Sequence, residues 1–97
     1  MNFAYRLVTD AKGRIEYKQR PGRKKHFHLE VYVDESAATL DSIRLVEYQL
    51  HESFSEPVRH NDDRARAFRE SIFTWGKFSI KVTVLSVDGH RRQFSFN

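Results

Sequence analysis

Apolar and polar residues alternate along three stretches of the chain: 26–33, 42–50 and 78–84. An alternation with a period of two is typical of a half-buried β-strand, because successive side chains point to opposite faces of a sheet. The pattern is clearest in the last stretch, where every second residue from Phe78 to Val84 is apolar. The apolar positions predict a core made of these residues: Phe27, Leu29, Val31, Val46, Tyr48, Leu50, Ile80, Val82, Val84 and Phe94.

Two turn sequences predict hairpins. Asp88-Gly89 follows the strongest strand and predicts a tight turn into a returning strand over 90–96. Near the amino terminus, Gly13 is placed to adopt a positive φ between two short apolar-polar segments, 3–8 and 14–20. We expect these two segments to pair with each other as an N-terminal hairpin.

The remaining segments predict connections and no long helix. Residues 34–41 are polar and suit a crossing between sheets. Residues 62–72 favour a loop or a single helical turn, and the alternation over 67–72 favours a strand after it. About seven or eight short strands without an amphipathic helix predict an all-β antiparallel sandwich of the immunoglobulin type. A chain of 97 residues has the length of one domain, which we assign to 1–97.

Composition narrows the classes of function. The chain has no cysteine, which excludes disulfides, thiol catalysis and cysteine-based metal sites. The first fifteen residues carry Arg6, Asp10, Lys12 and Arg14 and do not resemble a signal peptide, and no run approaches the roughly 18 apolar residues of a membrane helix. We therefore expect a cytoplasmic protein that does not enter a membrane.

The chain is basic, with a net charge of +4 and a pI near 9.6. Loop 20–25 concentrates Arg20, Arg23, Lys24 and Lys25, which suits either a solvated turn or a patch for phosphate or an acidic partner. Binding of nucleic acid through this loop stays open as an alternative, although no aromatic stacking platform accompanies the basic residues.

His26 and His28 share one face of the strand over 26–33 and would be able to hold a metal together. No third ligand stands at a readable spacing, so the interpretation we favour is two strand histidines without a metal. The chain also has no Gly-rich phosphate loop. We expect no metal and no cofactor.

Two short motifs place chemically active side chains at strand ends. LHESF, residues 50–54, follows the second alternating stretch and brings His51, Ser53 and Phe54 into a loop. TWGKF, residues 74–78, leads into the strongest strand. If both strands belong to one sandwich, the two loops are able to meet at one end of it.

These motifs, with Pro57 and Arg59 between them, resemble the YEATS domain family over about residues 26–97. The resemblance implies an immunoglobulin-like β-sandwich that binds acylated lysine, such as acetyl-lysine or crotonyl-lysine, in a partner protein, and we expect a bacterial member. The N-terminal segment 1–20 is matched less well. The implied partner is an acylated protein or peptide.

Acylation turns the lysine ammonium into a flat, uncharged amide. A site that prefers it needs aromatic walls, an acceptor for the amide N–H and a donor for its carbonyl. The resemblance implies a ligand-binding site made of six residues, in which Thr74 is included because it directly precedes Trp75: His51, Ser53, Phe54, Thr74, Trp75 and Gly76. In this interpretation Phe54 and Trp75 are the walls, Ser53 is the acceptor, and a backbone N–H at Trp75 or Gly76 is the donor. His51 either orients Ser53 or lines the pocket.

Three alternatives accompany this interpretation. In the first, Phe54 packs inward, which leaves a protein-interaction module without acyl-lysine recognition. Thr74 stands where similar domains have glycine, and a β-branched residue there is expected to reshape the loop before Trp75 and weaken the backbone donor. The second alternative is the basic nucleic-acid binder. The third is an enzyme that uses Ser53 and His51, but no nucleophile-elbow sequence surrounds Ser53, so we expect no catalysis.

Overall fold

The computed structural model describes residues 1–9, 12–13, 17–18, 26–52, 54, 56–74 and 79–96, with the backbone alone at 17–18 and 96. The described residues form eight strands: β1 Phe3–Leu7, β2 Tyr17–Lys18, β3 His26–Val33, β4 Ile43–Gln49, β5 Val58–Asn61, β6 Glu70–Thr74, β7 Ile80–Ser86 and β8 Arg91–Phe96. They also form a short helix α1, Ala37–Asp41, and a 3₁₀ helix, Arg64–Arg66. The strands make two antiparallel sheets, which confirms the predicted all-β sandwich of the immunoglobulin type.

The first sheet is built around β3. Strand β6 pairs with one edge of β3, and both β1 and β2 pair with the other edge. Leu29 of β3 lies between Ile72 of β6 and Leu7 of β1, and Phe27 of β3 lies between Thr74 of β6 and Tyr17 of β2. The expected hairpin between the segments 3–8 and 14–20 is therefore wrong for the described residues. Gly13 has the positive φ that its place in the sequence predicted, +78°, but β1 and β2 each run antiparallel to β3.

The second sheet has the strand order β5-β4-β7-β8. Strands β7 and β8 form the hairpin predicted from Asp88-Gly89, and Gly89 has a φ of +90°, which a residue without Cβ adopts without strain. A register shift interrupts the pairing of β4 with β7 between Ile43 and Leu45. Beyond it, the pairing runs without interruption to Gln49 and Lys81, which lie opposite each other.

The core fills the space between the sheets. Seven of the ten predicted core residues are buried: Val31, Val46, Tyr48, Leu50, Ile80, Val82 and Val84. The other three, Phe27, Leu29 and Phe94, keep part of their surface accessible. The core also contains residues that the sequence analysis did not assign to it: Val33, Leu40, Ile43, Phe68 and Ile72.

Two of the three connections between the sheets carry the short helices. Residues 34–41, predicted as a polar crossing, include α1, whose first turn is capped by Ser36 because its Oγ accepts a 3.3 Å hydrogen bond from the Thr39 N–H. In the segment 62–72 the prediction of one helical turn followed by a strand is confirmed by the 3₁₀ helix and β6. Among the helices of the described residues, none has the length and apolar character needed to cross a membrane.

Candidate functional site

The two loops that carry the motifs leave the second sheet at the same end. Strand β4 finishes at Gln49, which pairs with Val58 at the start of β5 and with Lys81 near the start of β7. The loop 50–57 therefore begins at the end of the second sheet at which the connection 75–79 leads into β7. This arrangement is the one that the spacing of the motifs predicted.

Local hydrogen bonds define the loop after β4. The Leu50 N–H donates to the Pro57 carbonyl at 2.6 Å, which closes the base of the loop. Inside it, the Phe54 N–H donates to the His51 carbonyl at 3.1 Å and forms a turn. His51 and Glu52 are exposed at the tip of the sandwich. The imidazole of His51 is thus presented outside the core.

The sequence left two positions open for Phe54, as an exposed wall of the groove or packed inward, and the observed position is intermediate between them. Its side chain is half-buried and packs against the core cluster, yet part of its surface remains accessible. A ring held on one side by the core has little conformational freedom left to lose when a flat group stacks on the other side. The geometry is compatible with a wall that is fixed before a ligand arrives.

Thr74 is the last residue of β6 and lies opposite Phe27 of β3. Its side chain is buried between the sheets, so it would influence a ligand through the backbone that follows it. Ser53, Trp75 and Gly76, which the sequence analysis also assigned to the site, lie outside the described residues. Their roles stay predictions.

A cluster of charged side chains lies on the outer face of the first sheet, and the sequence analysis did not find it. Glu30 is buried there and is surrounded by Arg6, Arg66 and Arg69. These four residues come from distant segments of the chain, so no local motif marks them. The only available signal was the position of Glu30 on the polar face of β3.

Neighbouring rings complete this outer face. The guanidinium of Arg69 lies 5.0 Å above the centre of the Tyr32 ring, a distance at which a cation is attracted to an aromatic face. His28 stacks on Phe73 with ring centres 4.5 Å apart and an angle of 17° between the planes. The searched part of the chain, which excludes the undescribed residues, contains no group of three or more potential metal ligands.

The two antiparallel sheets define an immunoglobulin-like β-sandwich domain. Residues 27–97 match the model of the prokaryotic YEATS domain, and the chain belongs to this family. YEATS domains are binding modules. Among curated proteins no match is found.

Solved structures of YEATS domains share this fold. A structure of the Yaf9 YEATS domain recognising an H3K122suc peptide superposes with a TM-score of 0.60 at 20% identity, over 96% of this chain and 64% of that one. A second Yaf9 YEATS structure gives a TM-score of 0.57 at 17% identity, over 96% and 65% of the two chains. The chain thus spans a little under two thirds of the Yaf9 chains, and the likeness concerns the fold.

Proposed function

We propose that this domain binds an acylated lysine of a partner protein in a groove between the loop 50–57 and the segment 74–78, and that it performs no reaction on it. The observation that carries the proposal is the common end from which the two loops leave the sheets, set by the pairing of Gln49 with Val58 and Lys81. Membership of the YEATS family supports a binding module. The Yaf9 domain that recognises an H3K122suc peptide supports a modified peptide as the kind of partner.

In this proposal the amide of the acylated lysine lies flat between the rings of Phe54 and Trp75. The hydroxyl of Ser53 accepts a hydrogen bond from the amide N–H, and a backbone N–H at Trp75 or Gly76 donates to the amide carbonyl. His51, which is exposed beside the turn of the loop, orients Ser53 or lines the groove. The half-buried setting of Phe54 supports its part as the fixed wall.

Selectivity follows from desolvation. An unmodified lysine would have to bring its ammonium group between two apolar rings, which costs free energy because the charge loses its water. An acylated lysine carries no charge and recovers two hydrogen bonds in the groove. A single side chain in an open groove supplies an affinity in the micromolar range or weaker, about −8 kcal/mol at most.

The proposal is tested by fluorescence, because Trp75 is the one tryptophan in the chain and lies in the proposed groove. Two peptides of the same sequence, one with acetylated or crotonylated lysine and one with free lysine, are titrated into the domain. We expect the acylated peptide to change the tryptophan emission in a saturable way and the free peptide to leave it unchanged. An equal response to both peptides, or none at concentrations that reveal millimolar affinity, would favour an interaction module without acyl-lysine recognition.

A further inference from the structure

The outer face of the first sheet carries a cluster of arginines around one carboxylate, which we call the arginine cluster: Arg6, Glu30, Arg66 and Arg69. The side chain of Glu30 is 7% exposed, and its Oε1 accepts hydrogen bonds from Nη2 and Nε of Arg6 at 2.8 and 3.2 Å. The other oxygen, Oε2, lies 3.6 Å from Nη2 of Arg66 and 3.7 Å from Nε of Arg69. Glu30 is thus the common centre of all three guanidinium groups.

Arg66 and Arg69 are close to Glu30 but are not hydrogen-bonded to it, because their distances to Oε2 exceed the usual range. Within the described part of the chain, neither guanidinium donates a hydrogen bond, and Nε of Arg69 is buried without an acceptor. A guanidinium group carries five N–H donors in a planar fork that fits a carboxylate. The two side chains therefore offer donors that the protein itself does not use.

The charge of the cluster points to the chemistry of its ligand. Three guanidinium groups face one carboxylate, so positive charges exceed negative charges by two. Arg69 is 28% exposed and is held over the Tyr32 ring, while Arg66 is 63% exposed. An anion placed between Arg66 and Arg69 would relieve their mutual repulsion and accept hydrogen bonds from the accessible N–H groups of the two guanidinium groups, whereas the buried Nε of Arg69 faces Glu30.

We propose that this cluster binds a carboxylate side chain of an acidic peptide segment in a partner protein, held between Arg66 and Arg69. The proposal is independent of acyl-lysine binding. Glu30 lies about 10 Å along β3 from Phe27, at roughly 3.3 Å per residue, and Phe27 pairs with Thr74 next to the proposed groove. The two sites are separate, although one partner is able to span both.

The rings on this face favour a peptide over a nucleic acid. Bases bind such surfaces by stacking on open aromatic faces. Here one face of Tyr32 is covered by Arg69, and His28 and Phe73 stack on each other. The three guanidinium groups of the cluster surround a single carboxylate, whereas binding of a nucleic acid strand relies on contacts to several successive phosphates.

A peptide could instead bind as an added strand along the edge of β6 that pairs with no described strand, but two side chains block this. Nη1 of Arg59 donates to the Ser71 carbonyl at 2.6 Å, and Nδ2 of Asn61 donates to the Arg69 carbonyl at 2.8 Å. These side chains occupy acceptors that an added strand would need. The partner is therefore held by its side chains.

The test measures binding of a short glutamate-rich peptide, labelled with fluorescein, by fluorescence anisotropy at low salt. We expect the glutamate peptide to bind and its glutamine counterpart not to bind. Arg66→Gln and Arg69→Gln should each weaken the affinity about fivefold or more. Arg44→Gln, the matched control, removes the same charge from an exposed position on the second sheet and should change the affinity less than about twofold.

Two results would overturn the proposal. The first is a loss of affinity in Arg44→Gln as large as that in Arg66→Gln, since binding would then follow net charge alone. The second is a single-stranded oligonucleotide that binds more tightly than the peptide with the same dependence on Arg66 and Arg69, which would assign the cluster to nucleic acid. Because Arg66 is largely exposed, Arg66→Gln keeps the test valid even if Arg69→Gln lowers the thermal stability.

Discussion

The hydroxyl of Tyr48 donates a 2.8 Å hydrogen bond to the carbonyl of Phe68 and thereby joins the two sheets. Tyr48 lies on β4 in the second sheet, whereas Phe68 precedes β6 in the first, and both side chains are fully buried. Phe68 and its neighbour Ala67 have positive φ angles of 56° and 55°, which residues with a Cβ rarely adopt. Burial of the Phe68 ring and the bond from Tyr48 hold the backbone in this unfavourable conformation.

The first prediction concerns this bond. Tyr48→Phe keeps the ring but leaves the buried Phe68 carbonyl without its donor, which should lower the free energy of unfolding by about 1 to 3 kcal/mol. Urea denaturation followed by circular dichroism measures the loss. Equal midpoints for Tyr48→Phe and the wild type would show that the bond contributes nothing.

The second prediction concerns pH. Burial, with a smaller contribution from the charge of Glu70, raises the pKa of the Tyr48 phenol well above its ordinary value. The folded state therefore keeps the phenol proton at pH values where the unfolded state loses it. The contribution of the protonated Tyr48 to the free energy of unfolding is complete below a pH of about 10 and is lost as the pH rises further. We expect the difference in free energy of unfolding between wild type and Tyr48→Phe to shrink above that pH. Urea denaturation of both proteins at several pH values below and above about 10 measures this difference. A difference that stays constant over the whole series would contradict the account.

The third prediction tests the register of β7. Val82 is completely buried between the sheets, so Val82→Ala should lower the free energy of unfolding by about 1 to 3 kcal/mol through lost packing and a cavity. Val87→Ala makes the same chemical change at a residue that is 64% exposed beside the β7–β8 turn. Its effect should be small. Comparable shifts of the two denaturation midpoints would mean that Val82 does not face the core.

The fourth prediction concerns the proposed groove. Trp75→Ala should remove one aromatic wall and weaken binding of an acylated-lysine peptide by about 1 to 3 kcal/mol without unfolding the sandwich. Isothermal titration calorimetry measures this effect, since the variant lacks the fluorescent residue. Val87→Ala, at the opposite end of β7, should bind as the wild type does. Undiminished binding by a folded Trp75→Ala protein would exclude Trp75 as a wall.

The alternation of apolar residues was sufficient to predict β3, β4, β7 and the sandwich, because the period of two follows directly from strand geometry. The common end of the two loops was expected only on the condition that both strands belong to one sandwich, because it depends on strand order and direction. The pairing of β1 could not be predicted in the same way. The turn at Gly13 is a local signal for a hairpin, whereas the choice of β3 as partner depends on contacts that are distant in the sequence.

The parts of the sites that escaped prediction depend on tertiary packing. The half-buried position of Phe54 depends on the closure of its loop by Leu50 and Pro57, and the sequence alone allowed both orientations. The arginine cluster brings together β1, β3 and the segment from the last residue of the 3₁₀ helix to the residue before β6. Arg66 and Arg69 were visible only as residues of an ambiguous polar segment, because their relation to Glu30 requires the assembled sheet.

The central claim, that the two loops form an acyl-lysine groove, is tested most directly by mapping amide chemical shifts during titration with an acylated-lysine peptide. The account predicts saturable shifts concentrated at residues 51–54 and 74–76, and none there with the free-lysine peptide of the same sequence. Shifts confined to other parts of the sandwich, or the same shifts with both peptides, would contradict it.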